Sequence, residues 1–178
     1  MKVKFEGNKQ YQLAWDKIND VFSKRVEELT QFPWQHKIFK VRLSDTIYGA
    51  TSYGHDFVIR SRNEDPFEQC RVTAHEILMS HLWSYIYHYF GELSQEEVKK
   101  FWALNEITTV CLLGLDPILN KLWTAEAEGF ERHLKNYSDL YKLKYKFKKI
   151  YLSSPDFKTY LFTAKDKIFT IPTQYPKF

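Results

Sequence analysis

The sequence is poor in glycine and proline, with six of each in 178 residues. That scarcity excludes collagen-like and linker-like chains and disfavours a turn-rich all-β fold. No run of about 18 apolar residues is present, so we expect neither a membrane-spanning segment nor a membrane partner. With only two cysteines, Cys70 and Cys111, and no continuous apolar stretch in residues 1–14, we expect no disulfide framework and no secretory signal. Both features favour a soluble protein of the reduced cytoplasm.

Apolar and aromatic residues are abundant instead. Hydrophobic residues make up 44% of the chain and aromatic residues 17%, which is far more than a disordered chain contains. The length is typical of one domain. We therefore predict a single α+β domain over residues 1–178 that is mainly helical, with a core over residues 9–114 and a helical, basic, aromatic-rich C-terminal part over residues 115–178.

The first half of the chain changes from a helical pattern to a strand pattern and back. Helical spacing of apolar residues predicts a first helix over residues 9–31. Alternating residues between positions 36 and 60 predict a small mixed sheet of about three short strands. Asp65 is a typical N-cap and Pro66 a typical first-turn residue, so a long helix is expected from there to Phe90.

The second half is predicted to be mostly helical. A capping-box sequence over residues 94–97 begins a helix that ends at Gly114. An Asp-Pro pair begins a fourth helix over about residues 116–136. Beyond it, the pattern predicts a helix over about residues 138–150, followed by one or two strands within residues 157–172.

The long central helix carries a histidine on its apolar face. With 3.6 residues per turn, His75 shares that face with Val72 and Met79, while Glu76 points partly toward the same interior. On the following helix, Glu106 lies on a stripe of apolar and small side chains. A buried carboxylate or imidazole is costly unless it is paired or bound to a metal.

Two neighbouring helices are thus expected to direct one imidazole and two carboxylates toward one interior. Nitrogen and oxygen ligands suit zinc, and a spare carboxylate suits a general base. We predict that His75 and Glu106 lie in contact, either directly or through a metal or water. They are the candidate metal ligands, Glu76 is the candidate catalytic base, and zinc is the candidate cofactor.

This arrangement resembles the gluzincin group of zinc metallopeptidases. In that group an HExxH helix gives two histidine ligands and a general-base glutamate, and a later helix gives a glutamate ligand, often preceded by asparagine. His75, Glu76 and the pair Asn105-Glu106 match these positions. The order of a helix, a small sheet ending in an edge strand, the motif helix and the glutamate helix also matches over residues 9–114. The resemblance implies a zincin-like fold and a peptide or protein substrate.

The second histidine of the motif is replaced by Met79, and a thioether is a soft ligand that prefers copper(I) to zinc. His81 is a poor substitute, because position i+6 lies about 120° around the helix axis from His75. We expect His81 and His88 to flank a packed aromatic residue rather than to hold a metal. His133 is a candidate transition-state donor in the resemblance, but a lone histidine on an amphipathic helix is more typical of a surface or boundary residue.

Positive charge is concentrated near the C-terminus. Residues 141–178 contain nine lysines against two aspartates, a local charge of +7, which leaves −3 for residues 1–140. Within residues 141–151, lysines alternate with aromatic residues, a pattern that could bind phosphates and bases. The segment contains no arginine, and we expect it to form part of the folded surface, with rings buried and ammonium groups in water. Weak non-specific attraction to nucleic acid is still expected.

Three functions remain open from the sequence. The first is a metallopeptidase-related protein with an incomplete metal site, weakly active or catalytically silent, that acts by binding a peptide or protein. The second is an active, atypical metal-dependent peptidase that uses His75, Glu76 and Glu106. The third is a basic α+β domain that binds nucleic acid through residues 141–151. The substitution Met79→His is expected to increase zinc binding, because it restores two imidazoles on one helical face.

Overall fold

Four short strands form one mixed sheet in this computed structural model, which describes residues 1–46, 50–52, 56–62, 64–123 and 133–171. The strands are β1 (Lys2–Phe5), β2 (Ile38–Ser44), β3 (Ala50–Ser52) and β4 (Phe57–Ser61). Their spatial order is β1-β2-β4-β3, with β1, β2 and β4 parallel and β3 antiparallel to β4. The mixed sheet is confirmed, but β1 was missed, because four residues are too few to carry a clear pattern.

Seven helices are present in the described part of the chain. They are α1 (Lys9–Asp16), α2 (Asn19–Thr30), α3 (Pro66–Phe90), α4 (Gln95–Leu115), α5 (Pro117–Asn120), α6 (Ser138–Ser153) and α7 (Phe157–Phe169). A short 3-10 helix, His133–Asn136, precedes α6. The α+β class and the mainly helical content are confirmed.

The prediction of one helix over residues 9–31 is wrong, because the helix is interrupted at residues 17–18, between α1 and α2. Asn19, the first residue of α2, makes two contacts at this interruption. Its side-chain oxygen accepts a hydrogen bond from the Trp15 indole (2.8 Å), and its amide donates to the Met1 carbonyl (3.0 Å). Asn19 therefore ties the end of α1 and the start of α2 to the residue that precedes β1.

Two predictions in the C-terminal part also need correction. The strands predicted within residues 157–172 are wrong, because the chain forms α7 there; its five buried residues lie at helical spacing, and Asp156 caps it by accepting from the Thr159 backbone (2.7 Å). The fourth helix predicted over residues 116–136 is not continuous, because α5 ends at Asn120, residues 121–123 are not helical and the 3-10 helix covers His133–Asn136. Residues 124–132 lie outside the described residues. The helix predicted over residues 138–150 is confirmed as α6.

The two long helices begin where the sequence places them. Asp65 accepts hydrogen bonds from two backbone N–H groups at the start of α3. Ser94 and Glu97 form the predicted capping box at the start of α4. α3 packs against α1, α4 and both strands of the β3–β4 pair, so several of its faces are buried. The side chains that α3 directs toward α4 define the candidate site.

Candidate functional site

His75 of α3 and Glu106 of α4 meet inside the protein. The imidazole Nε2 lies 3.2 Å from the carboxylate Oε2, which is the distance of an ion pair. His75 is 8% exposed and Glu106 is 5% exposed. The predicted proximity of these two residues is confirmed, whereas their role as zinc ligands stays a prediction.

Asn105 makes a second contact between the same two helices. Its amide nitrogen donates to the backbone carbonyl of Met79, at 3.1 Å. Met79 lies one turn after His75 and is also buried, so consecutive residues of α4 contact consecutive turns of α3. The methionine thus occupies the turn from which the second motif ligand would project.

Glu76 lies beside His75 but on the side of the helix that approaches the sheet. It is half-buried, and its negative charge acts on Arg60 of β4, a side chain with no exposed surface. Burial lowers the pKa of the Arg60 guanidinium, while the charges of Glu64 and Glu76 oppose that shift. Arg60 also pairs with Glu64 and donates to the Gln69 side chain at 3.3 Å. The candidate base is therefore electrostatically coupled to a buried arginine.

Tyr137, immediately before α6, is a neighbour of the site that sequence reasoning missed. Burial and the negative charge of Glu106 raise the pKa of its phenol. Its ring packs edge-on against Trp102 of α4, with centroids 5.1 Å apart. No local sequence signal identifies Tyr137, because its proximity to Glu106 depends on how the segment before α6 packs on α4.

The other histidines do not join this pair in the described structure. His81 faces α2, and its Nε2 lies 3.0 Å from the hydroxyl of Thr30, the last residue of that helix. The centroid of its ring lies 4.4 Å from that of Trp34, which follows α2. The expectation of a packed aromatic environment is confirmed. His88 is exposed and lies 5.3 Å, centroid to centroid, from the Phe32 ring. The side chain of His133 lies outside the described residues, so its candidate role stays a prediction.

The donor set at the site only partly fits zinc. Tetrahedral zinc with bonds of about 2.0–2.1 Å holds neighbouring donor atoms about 3.3 Å apart, close to the His75–Glu106 distance of 3.2 Å. The third position offers the Met79 thioether, which binds zinc poorly. Among the described residues, no three metal-binding side chains of His, Cys, Asp or Glu cluster together. The described residues therefore do not complete a zinc site.

The two cysteines belong to the core, as the sequence predicts. Both are buried and neither forms a disulfide. Burial raises the pKa of the Cys70 thiol to about 12, so this thiol stays protonated and unreactive near neutral pH.

The basic segment over residues 141–151 lies within α6 and is folded, as expected. The distribution of its side chains differs from the expectation. Phe147 is fully buried, but the Tyr145 ring is 61% exposed and Lys144 is buried at 1% exposure. The Lys144 ammonium lies 3.8 Å from the centre of the Tyr141 ring, where a cation–π contact offsets part of its desolvation.

Comparison with known proteins finds no matching family model, no matching curated protein and no matching solved structure. Within the described residues, no helix has the length and hydropathy needed to cross a membrane.

Proposed function

We propose that this chain is a gluzincin-related protein with an incomplete metal site that binds a peptide or protein segment and hydrolyses it weakly or not at all. The observation that carries the proposal is the buried contact between His75 and Glu106, 3.2 Å apart on neighbouring helices. Met79 occupies the turn where a third ligand is needed. The zincin-like fold and the role of Glu76 as a former general base belong to the same proposal.

The His75–Glu106 pair gives a physical reason why such a site can persist without catalysis. A buried carboxylate needs a positive or hydrogen-bonding partner, and the His75 imidazole lies 3.2 Å from it, a contact that needs no metal. Met79 adds an apolar side chain beside the pair. A hydrolytic zinc site needs three protein ligands and an open position for water, and the described residues supply two of the three.

The sheet supports an extended peptide as the bound segment. It has two edges, and the β1 edge is closed by Gln12. The Gln12 side chain accepts from the Phe5 backbone N–H at 2.9 Å and donates to the Val3 carbonyl at 3.0 Å. β3 pairs with β4 on one side only and packs against α3. An extended peptide could add to β3 as a further strand, close to the helix that carries His75.

The substitution Met79→His tests the site directly. We expect the natural chain to bind zinc weakly, and the variant to bind one zinc ion at least about 100-fold more tightly, because a third protein ligand completes the set. Calorimetry and metal analysis of untagged protein measure the change. The matched double variant Met79→His/Glu106→Gln should lose most of that gain. Equal zinc affinity and stoichiometry in the natural chain and the single variant would contradict the proposal.

Peptide hydrolysis distinguishes the proposal from an active peptidase. The natural chain, supplied with zinc, should cleave an unstructured peptide mixture at most a few times faster than its Glu76→Gln variant. If the natural chain cleaves the mixture rapidly, and this zinc-dependent cleavage disappears in Glu76→Gln, the active alternative is established and the proposal of weak or absent turnover is contradicted.

A further inference from the structure

The solvent-facing side of α6 carries a cationic stripe with protruding apolar side chains. At 100° per residue, its members fall within an arc of about 120°. The stripe consists of Lys142, Tyr145, Lys146, Lys149 and Leu152. The three lysines are exposed. Leu152, at 70% exposure, and Tyr145, at 61%, are the most exposed large hydrophobic side chains in the described part of the chain.

The lysines of the stripe are available to an external partner. In the described structure, none of Lys142, Lys146 and Lys149 lies within ion-pair distance of a carboxylate, although other lysines do. Asp139 is the only acidic residue of α6. A lysine of α7 adds further positive charge, because Lys167 lies close enough to lower the pKa of Lys146. Bringing like charges together is unfavourable unless an anion offsets their repulsion.

The apolar members of the stripe indicate what kind of anion fits. The buried face of α6, which includes Leu140 and Phe147, packs into the protein's own core. The exposed Leu152 and Tyr145 are therefore additional to the residues that hold the helix in place. A leucine gains nothing from a phosphate or a base, whereas leucine and tyrosine both insert favourably at a lipid headgroup boundary. Lysine suits mobile lipid phosphates as a point charge, while base recognition more often uses arginine.

We propose that the α6 stripe docks on an anionic lipid surface, with the three lysines against headgroups and Leu152 and Tyr145 at the boundary with the acyl chains. The proposal is independent of the peptide-binding function, since the stripe and the His75–Glu106 pair lie on different elements. The proposal departs from the expectation of no membrane partner, which rested on the lack of a spanning segment, because surface docking needs only an exposed face of a folded helix. The attraction between the lysines and the surface reaches about one Debye length, roughly 8 Å at 0.15 M salt, and weakens as salt is added.

The full chain is tested by co-sedimentation with phosphatidylcholine vesicles, with or without about 30% phosphatidylserine, at about 0.15 M salt. We expect binding to the anionic vesicles only. The triple variant Lys142→Gln/Lys146→Gln/Lys149→Gln should bind at least about tenfold more weakly. Lys4→Gln/Lys9→Gln/Lys17→Gln, which removes the same charge from exposed residues of β1, α1 and the turn after it, should bind as the natural chain does. Circular dichroism checks that all variants are folded.

A neutral substitution separates insertion from charge alone. Leu152→Ser should weaken binding to anionic vesicles severalfold, whereas Leu13→Ser, at another exposed leucine, should leave it unchanged. The proposal is overturned if neither vesicle binds, if both bind equally, or if the two triple variants behave alike. It is also overturned if single-stranded RNA binds more tightly than vesicles and the stripe variant removes that binding, because the partner is then a nucleic acid.

Discussion

Two buried histidines of α3, six residues apart, have opposite surroundings. His75 faces α4 and meets the carboxylate of Glu106. His81 faces α2 and meets a hydroxyl and aromatic rings. The comparison shows that burial alone does not make a histidine a candidate ligand. The chemistry of the neighbouring helix decides it: among the described residues, His75 has a carboxylate 3.2 Å from its ring, whereas His81 contacts a hydroxyl and aromatic rings.

The surroundings of His81 define its protonation. The Thr30 hydroxyl donates its single proton to the Val26 carbonyl at 2.8 Å, so toward His81 it acts as an acceptor. The imidazole must then carry its proton on Nε2. No hydrogen-bond partner for Nδ1 is found in the described structure. Burial lowers the pKa of His81 to about 3, and the ring is neutral in the folded protein at physiological pH.

The largest expected effect in this comparison is the acid sensitivity caused by His81. Its folded-state pKa of about 3 lies below the ordinary value of 6.5. Between these two pH values, the unfolded chain binds a proton at His81 and the folded chain does not. This contribution lowers the free energy of unfolding by about 1.4 kcal/mol per pH unit as the pH falls from about 6.5 toward 3, and has no effect above that window. Urea titrations between about pH 4 and 8 measure the slope.

His81→Gln should reduce that slope by about 1.4 kcal/mol per pH unit, which corresponds to one proton fewer taken up on unfolding. Glutamine does not titrate, and its side chain can still donate to Thr30. His88→Gln, on the exposed part of the same helix, serves as the control and should keep the slope of the natural chain. An unchanged slope in His81→Gln would mean that another group causes the acid sensitivity.

The next largest effect concerns the other histidine. His75→Ala removes one close contact of a buried carboxylate and should lower the free energy of unfolding by up to about 3 kcal/mol at neutral pH. A double-mutant cycle with Glu106→Ala measures the coupling between the two side chains. Removal of both should cost less than the sum of the single losses, because no uncompensated charge then remains. Additive losses would show that the two side chains do not interact in solution.

The sequence allowed the framework of this site to be predicted, because the relevant signals are local. Asp65 with Pro66, and Ser94 with Glu97, mark the starts of two helices by backbone chemistry that acts over three or four residues. Helical spacing then places His75 and Glu106 on buried faces. Burying either side chain without a polar partner is costly, so contact between the two is favoured when the helices pack together.

Other features could not be predicted, because they depend on contacts distant in the chain. Arg60 looks like an ordinary strand residue, and only the packing of β4 on α3 brings its charge near Glu76. The sequence predicts strands where α7 forms, because residues 157–171 are rich in Thr, Tyr, Phe and Ile, which favour strands. Its packing on α4 and α6 overrides that local preference. Binding of zinc, a peptide or a lipid stays a prediction.

The smallest expected effect concerns the second polar contact between α3 and α4, which is the hydrogen bond from Asn105 to Met79. Asn105 is 1% exposed, and its amide donates to the Met79 carbonyl at 3.1 Å. Asn105→Ala removes that hydrogen bond and leaves a small cavity, so the free energy of unfolding should fall by about 1.5 kcal/mol. Asn120→Ala, at a half-buried asparagine of α5, should change it by less than about 0.5 kcal/mol. If Asn105→Ala costs as little as the control, this hydrogen bond adds little to the His75–Glu106 contact and to the apolar packing of α3 on α4. If Asn105→Ala lowers the free energy of unfolding as much as His75→Ala does, the His75–Glu106 contact contributes no more than an ordinary hydrogen bond. The contrast between His75 and His81 would then rest on hydrogen bonding rather than on charge.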